Sequence, residues 1–315
     1  GYVGNHLRQE GGVSPQVASM PPRVNRQARR GERGRSLKLE THNVCGMRAE
    51  AKVQSLARGW VQRGSDIGCL QETHVGFFEQ GPCTNRINTA CRQQDPQHRG
   101  FSIHWGFNAN NANRSAGVAI MIRRDLITSG ELVPHEDGKV GDQGGGRFLK
   151  LPVSWRGQRM NIVCVHLPNK QHEQVQFIRT HLAGIAGEPG FWGGDYNFVL
   201  DTPLDRLSEQ LPGAPLLAQV PQGRQAAAPG FSDSEDEGSD NEGGQVPVVR
   251  RQAPRPARVF AEVASGMKDC FRLLHPRQRS FTWHGVGGRK GYASRIDRWH
   301  CSSQFAAYVV RCGTK

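Results

Sequence analysis

The 315-residue chain has no stretch approaching the roughly 18 consecutive apolar residues of a membrane span, and its first residues lack the apolar core of a signal peptide. It has no CxxC pair either: Cys45, Cys69, Cys83, Cys91, Cys164, Cys270, Cys301 and Cys312 are scattered. That spacing argues against a zinc ribbon or a disulfide framework and fits the reduced thiols of an intracellular protein. Hydrophobic residues are scarce at 36% and aromatics at 7%, with a mean hydropathy of −0.59, so part of the chain is expected to be disordered. Acids are short as well: 28 Asp and Glu against 41 Lys and Arg give a formal charge of +13. A basic balance favours a polyanionic partner such as nucleic acid, although it also serves plain solubility. Residues 1–38 carry eight bases and two acids, a net +6, which leaves +7 on the remainder. The opening Gly1 in place of Met reads as a fragment or a processed form.

Organisation follows from composition and periodicity. Residues 1–36 mix Pro, Gly, Gln and Arg without a period and read as a disordered basic arm. From Leu37 apolar and polar residues alternate to Asn43, a half-buried strand broken at Gly46. Val53, Leu56, Ala57, Trp60 and Val61 recur at helical spacing up to Gly64, and Ile67–Leu70 is a short buried strand. Gly117–Ile122 is an apolar run, Phe148–Trp155 and Arg159–His166 form a hairpin about Arg156 and Gly157, and Val175, Ile178, Leu182 and Ile185 mark a second helix. Phe191 and Trp192 lead a strand into Gly193 and Gly194. Between 206 and 258 the chain turns to Pro, Gln, Ala and Gly, with six acids and no base over 232–242, and is expected to be a disordered insertion. Periodicity resumes at Val259, Phe260 and Val263, then at Phe281–Trp283, Arg295–Cys301 and Ala306–Val310. Strands alternating with helices, with hairpins among them, predict an α/β fold with mixed sheets, one domain running through 37–205 and 259–315.

Four polar clusters end apolar runs: Thr41–Asn43, Gln71–Thr73, Gly194–Asn197 and Ser294–Asp297. Strands that end together bring their last side chains to one rim, where distant acids and amides meet. Glu72 is the only acid between Ile67 and Thr73 and is a hard oxygen ligand for a divalent cation. Asp195 and Asn197, two residues apart after two glycines, suit a water and a phosphate oxygen; such pairs also cap turns. Asp297 sits in an apolar strand where a lone charge is costly, so it needs a partner, Arg295 and Arg298 being the plain candidates.

In their order these clusters resemble the endonuclease/exonuclease/phosphatase superfamily, from about Leu37 to Cys301. The likeness is greatest to the nuclease domains of non-LTR (LINE-type) retrotransposons, a branch akin to the apurinic/apyrimidinic endonucleases. It is carried by Asn43–Met47, Leu70–His74, the run after Ala116 and Gly117, His166–Asn169, Gly194–Asn197, Asp205 and Arg206, Asp269 with Arg272, His275 and Pro276, Phe281–Trp283, and Ser294–Asp297. The resemblance implies a four-layer, DNase-like sandwich of two mixed sheets flanked by helices, cutting DNA phosphodiesters with Mg²⁺ or, failing that, Mn²⁺, and needing no small-molecule cofactor. It makes Glu72 the metal ligand with Asn43 beside it, Asp195 the residue that orients or deprotonates water, and Asn197 the partner of the phosphate. Asn43, Asn169, Arg206 and Arg295 would contact phosphate or DNA, and Asp297 would orient a catalytic His.

Three departures from the family pattern are visible. His166 stands where the family has Tyr, and Cys45 where relatives place Asp or Asn. A Ser-Asp-His run expected on a strand after Val309 and Val310 is not present before Lys315. Loss of such a His is expected to cost about 10²–10⁴-fold in rate. The leading expectation is a DNA-nicking domain of a retroelement, acting in the nucleus, with its reverse transcriptase outside this sequence. An abasic-site repair endonuclease or other phosphoesterase, and a catalytically dead nucleic-acid-binding remnant, are the alternatives.

Overall fold

In the computed structural model, described for residues 36–106, 116–141, 145–207, 253–285 and 292–313, strand β1 (Leu39–Asn43) leads through helix α1 (Glu50–Arg63) to β2 (Ile67–Gln71). Val53, Ala57 and Trp60 bury one face of α1, and Gly64 closes it in the left-handed conformation at φ 62°, its N–H returning to Trp60 and Val61. Helix α2 (Gln80–Gln94), β3 (Phe101–Trp105) and β4 (Ala119–Arg123) complete the first half. These strands form a sheet ordered β1-β2-β4-β3, with β1 and β2 parallel. Helices α1 and α2 cover its outer face over Trp60, Leu70, Ile87, Phe101 and Met121.

A short helix α3 (Arg124–Thr128) precedes β5 (Leu132–Pro134), β6 (Val140–Gly141), β7 (Phe148–Trp155) and β8 (Gln158–His166). The β7–β8 turn takes Arg156 at φ 48° and Gly157 at φ 81°, the two positive values that a tight hairpin of matching twist requires. Helix α4 (Gln171–Phe177) runs into looser helical turns to Ile185 before β9 (Gly190–Asp195), then α5 (Thr202–Asp205) and β10 (Arg206–Leu207). After these come α6 (Arg255–Val263), β11 (Met267–Asp269), α7 (Cys270–Leu274), β12 (Trp283–His284), β13 (Ala293–Ser294) and β14 (Asp297–Ser302). The second sheet runs β11-β14-β9-β8-β7-β5, with β6 also on β7; β8 and β9 are its parallel pair. Helices α4 and α6 cover its outer face over Val163, Ile178, Trp192, Tyr196 and Phe260. A small sheet β10-β13-β12 lies apart.

The inner faces of the two large sheets meet through buried groups: the Gln71 amide reaches the Cys164 thiol at 3.3 Å, and the Cys69 thiol reaches the Val163 carbonyl at 3.7 Å. The result is the expected sequence of layers, helices, sheet, sheet, helices. No helix among the described residues is long and apolar enough to cross a membrane. Residues 1–35 and 208–252, which hold nearly all of the expected basic arm and acidic insertion, lie outside the described residues. At the insertion's edges regular structure reaches further than the sequence suggests: Arg206 pairs with Ser294 in a ladder, and α6 begins at Arg255. The run at Ala306–Val310 is split: Ala306–Tyr308 end a 3₁₀ segment, Ser303–Tyr308, whose Phe305 packs on Phe191 with ring centroids 5.2 Å apart, and Val309 and Val310 follow outside it.

The glycine pair before Asp195 answers to close packing. A Cβ on Gly194 would stand 2.0 Å from the Val165 carbonyl oxygen of the adjoining strand. Gly194→Ala therefore forces β8 and β9 apart and is expected to cost about 3 kcal/mol, lowering the melting temperature by about 6–12 °C. Gly184→Ala, where nothing lies within 4 Å, should melt with the parent; calorimetry of the two variants checks both.

Candidate active site

The two parallel strand pairs decide where the polar ends go. β1 and β2 finish together, Asn43 opposite Gln71, and the next residue, Glu72, turns back over the rim at φ 52°. β8 and β9 likewise finish together, His166 opposite Asp195. β14 runs the other way, so it begins at the same rim with Asp297 opposite Asp195. His166, Asp195 and Asp297 are thus neighbours across three strands on one face of the second sheet. That face looks toward the first sheet, because the Asn43 amide spans the gap.

Asn43 Nδ2 donates to Glu72 Oε1 at 2.9 Å and to Asp195 Oδ2 at 3.1 Å. Its Oδ1 accepts from the Cys45 N–H at 3.1 Å and from the Cys45 thiol at 3.2 Å, and this fixes which end of the amide faces the carboxylates. His166 Nε2 lies 3.3 Å from Glu72 Oε1. On the other side of the ring, the Arg147 guanidinium donates to Nδ1 at 3.2 Å. A guanidinium only donates, so this contact has Nδ1 as the acceptor and leaves the N–H of the ring on Nε2. His166 therefore presents an N–H toward Glu72. Its Nε2 meets Glu72 and Asp195 in a cluster whose donor atoms all lie within 4.8 Å of one another, a candidate metal site. With the proton placed by Arg147, the atoms suited to a cation there are the two carboxylates, a hard oxygen set, and the imidazole stands beside it as a hydrogen-bond donor.

The charges in this rim are held unequally. The hydrogen bond from His166, reinforced by Asn43, holds the Glu72 carboxyl down to about 2 against the cost of burial. Burial drives the Asp195 carboxyl up, opposed by the nearby His166 and by hydrogen bonds from Asn43 and the Asn197 N–H. Burial and the facing Asp195 push Asp297 up to about 7, opposed by a hydrogen bond from Thr282. Three carboxylates crowded at one rim, two of them reluctant to ionise, form a site whose charge a divalent cation would balance.

Other expected residues divide. Asn197, in the left-handed conformation at φ 52°, donates its Nδ2 to the Leu167 carbonyl at 2.7 Å and its backbone N–H to Asp195 Oδ1 at 3.0 Å. It therefore ties the ends of β8 and β9 together, and one Nδ2 hydrogen is left for another acceptor. Asn169 is exposed in the loop two residues beyond Leu167, and Arg206 is exposed on β10. Arg295 does not belong with the DNA contacts: it is 1% exposed and gripped by Asp205 and Asp269 at 2.6–3.3 Å. Two neighbouring carboxylates hold it as a structural cation. Asp297 finds neither Arg295 nor Arg298 as a hydrogen-bond partner; its Oδ1 is buried without one, and no His pairs with it among the described residues. Its backbone N–H donates to Thr282 Oγ1.

Sequence reasoning passed over Arg147, Gln174 and Thr282. Arg147 is an unremarkable base before β7. Gln174 braces the rim from α4 by donating to the Pro168 and Asn197 carbonyls at 2.8 and 3.0 Å; a buried polar residue inside a helical apolar stripe was the one available signal.

A family model described as the endonuclease/exonuclease/phosphatase family matches residues 41–314. Among solved structures, the AP endonuclease LMAP from Leishmania major is similar with a TM-score of 0.56 at 18% identity, over 86% of this chain and 80% of that one. An AP endonuclease from Archaeoglobus fulgidus matches with a TM-score of 0.54 at 16% identity, over 86% and 89%. The endonuclease domain of TRAS1, a telomere-specific non-LTR retrotransposon, matches at 0.46 and 11%, over 86% and 88%. At such identities the first two likenesses speak for the fold alone.

The raised Asp297 has a consequence for stability. Folding at a pH between the ordinary carboxyl range and about 7 requires a proton that the unfolded chain does not hold, so the contribution of Asp297 is fully present at low pH and is lost as pH rises through that window. Asp297→Asn keeps the uncharged form. In EDTA the variant should match the parent near pH 4 and exceed it by a few kcal/mol at pH 8; urea melts across pH 4–8 measure the difference.

Proposed function

Because the chain belongs to the endonuclease/exonuclease/phosphatase family, we propose that it is a Mg²⁺-dependent phosphodiesterase that nicks DNA, of the kind carried by non-LTR retroelements. The observation that supports this most is the meeting of Glu72, Asp195, Asn43 and His166 at one rim, from strands of two different sheets. Glu72, already ionised, and Asp195 would hold the cation, which supplies charge to a phosphate oxygen and lowers the barrier for attack. Asp195, kept basic by burial, also suits the task of orienting and deprotonating a water. His166 stands where the family pattern has Tyr; once a cation took up the Glu72 carboxylate, its Nε2–H would be released to donate to the phosphate as negative charge grows. The remaining Nδ2 hydrogen of Asn197 serves the same oxygen cluster. The retroelement assignment rests on the sequence runs His166–Asn169, Gly194–Asn197, Asp205–Arg206 and Ser294–Asp297, and the positive charge of the chain suits a DNA substrate.

Supercoiled plasmid with Mg²⁺ tests the reading. The parent chain should convert it to the open circle, and Asp195→Ala and Glu72→Ala should each slow that conversion by at least about 10²-fold. Equal, weak nicking by all three proteins would mean that this rim cuts nothing. DNA binding without nicking would assign the chain to nucleic-acid binding alone. Abasic and intact duplexes compared side by side then separate repair from nicking.

A further inference from the structure

Just beyond the rim, two phenylalanines face solvent. Phe77 is 58% and Phe78 82% exposed, packed edge to face with centroids 5.5 Å apart. An apolar pair displayed this way is costly in water and marks a contact surface. It is also rigidly mounted. The chain between Glu72 and Phe77 is pinned by Thr73 N–H to the Gly117 carbonyl and Met47 N–H to the Thr73 carbonyl, and Val75 is buried. Glu79, next to Phe78, accepts from the Gly76 N–H at 2.9 Å and pairs with Arg48 at 3.3 Å.

The ground between this pair and the carboxylates is positive. Lys52 Nζ reaches the Cys45 carbonyl at 2.8 Å, and the Cys45 thiol touches Asn43 of the rim. Arg48 stands beside Glu79, with the Arg86 guanidinium donating to the Arg48 carbonyl at 3.1 Å. Lys52 is thus linked to the rim through Cys45 and Asn43, and Arg48 to the aromatic pair through Glu79. Five residues of chain keep Phe77 within about 20 Å of Glu72, the length of about six stacked nucleotides. On its other side Phe77 walls an open cavity of about 550 Å³ with Gln80, Trp105 and Lys139, a size and lining that suit a planar heterocycle next to a phosphate.

Resting on the nuclease reading above, we propose that Phe77 and Phe78 form a stacking platform for an unpaired nucleobase of the bound DNA, with Arg48 and Lys52 holding the phosphates that lead from it to the carboxylate rim. The nuclease reading and the local charge choose the partner together: an apolar pair with Lys52, Arg48 and Arg86 nearby suits a strand that alternates aromatic bases with phosphates. The platform favours DNA that offers a base outside the stack, such as single strand or a distorted step.

The test uses the intact chain in EDTA, which prevents cleavage, and a 20-nucleotide oligothymidine carrying one 2-aminopurine. The parent should bind and quench the probe. Phe78→Ala should bind roughly tenfold more weakly and leave the probe bright, and Phe78→Trp should restore both. Phe78→Ala that binds within twofold of the parent, or a parent that leaves the probe unquenched at saturation, overturns the platform. So does sedimentation showing self-association that Phe78→Ala abolishes while DNA affinity stays put, since the pair would then be an interface between copies. The failures are distinguishable: salt-sensitive DNA binding indifferent to Phe78 removes the platform alone, whereas no DNA binding at low salt removes the nuclease reading with it.

Discussion

The bridge made by the Asn43 amide between Glu72 and Asp195 is the contact on which the rest of the rim depends. It joins two carboxylates that belong to different sheets and different halves of the sequence, and it can form only if both sheets end at the same height. The parallel pairs β1–β2 and β8–β9 enforce that height by register, Asn43 against Gln71 and His166 against Asp195. The glycines in β9 enforce it by packing, because the neighbouring strand lies too close to admit a Cβ. Layered architecture and polar rim are therefore one constraint seen at two scales: burying two sheets face to face leaves their ends as the place where charge can be collected.

A second polar group stabilises the frame without joining the chemistry. Arg295 sits between Asp205 and Asp269, and Arg272 also donates to Asp205. Through this network the end of α5, the start of α7 and the residue after β13 are locked together. Arg295 N–H also donates to the Asp205 carbonyl, so the contact begins in the backbone. A buried charge pair of this kind adds little net stability over an apolar substitute, but removing one member strands the others, which makes it a device for a unique geometry. It sets Asp297, two residues on, at the rim.

Much of this was legible from residue order. Alternation at Leu39–Asn43, the helical stripe of Val53, Ala57 and Trp60, and the Arg156–Gly157 turn are local signals, and the structure places each as expected. The clusters at Asn43, Glu72, Asp195 and Asp297 were legible because apolar runs that stop at polar residues imply a shared edge. Arg295 was misread because burial depends on Asp205 and Asp269, which lie 90 and 26 residues away. Helix α2 was missed since its buried face includes Cys83, Asn88 and Cys91, residues that weaken an apolar stripe. Arg147 carried no signal because its contact with His166 crosses between neighbouring strands and leaves no pattern along the chain.

That last contact bears on what the rim can hold. An imidazole beside two carboxylates is ordinarily a ligand for borderline metals such as Mn²⁺ or Zn²⁺, through a lone pair on the nitrogen that faces them. Here the nitrogen facing Glu72 carries the proton, because Arg147 donates to the opposite one. Turning that nitrogen into a ligand would set an N–H of the ring against an N–H of the guanidinium, which costs a hydrogen bond. A cation at this rim would find oxygen donors in Glu72 and Asp195, and the N–H of the ring faces Glu72. A guanidinium one contact away thus governs which nitrogen of His166 faces the carboxylates.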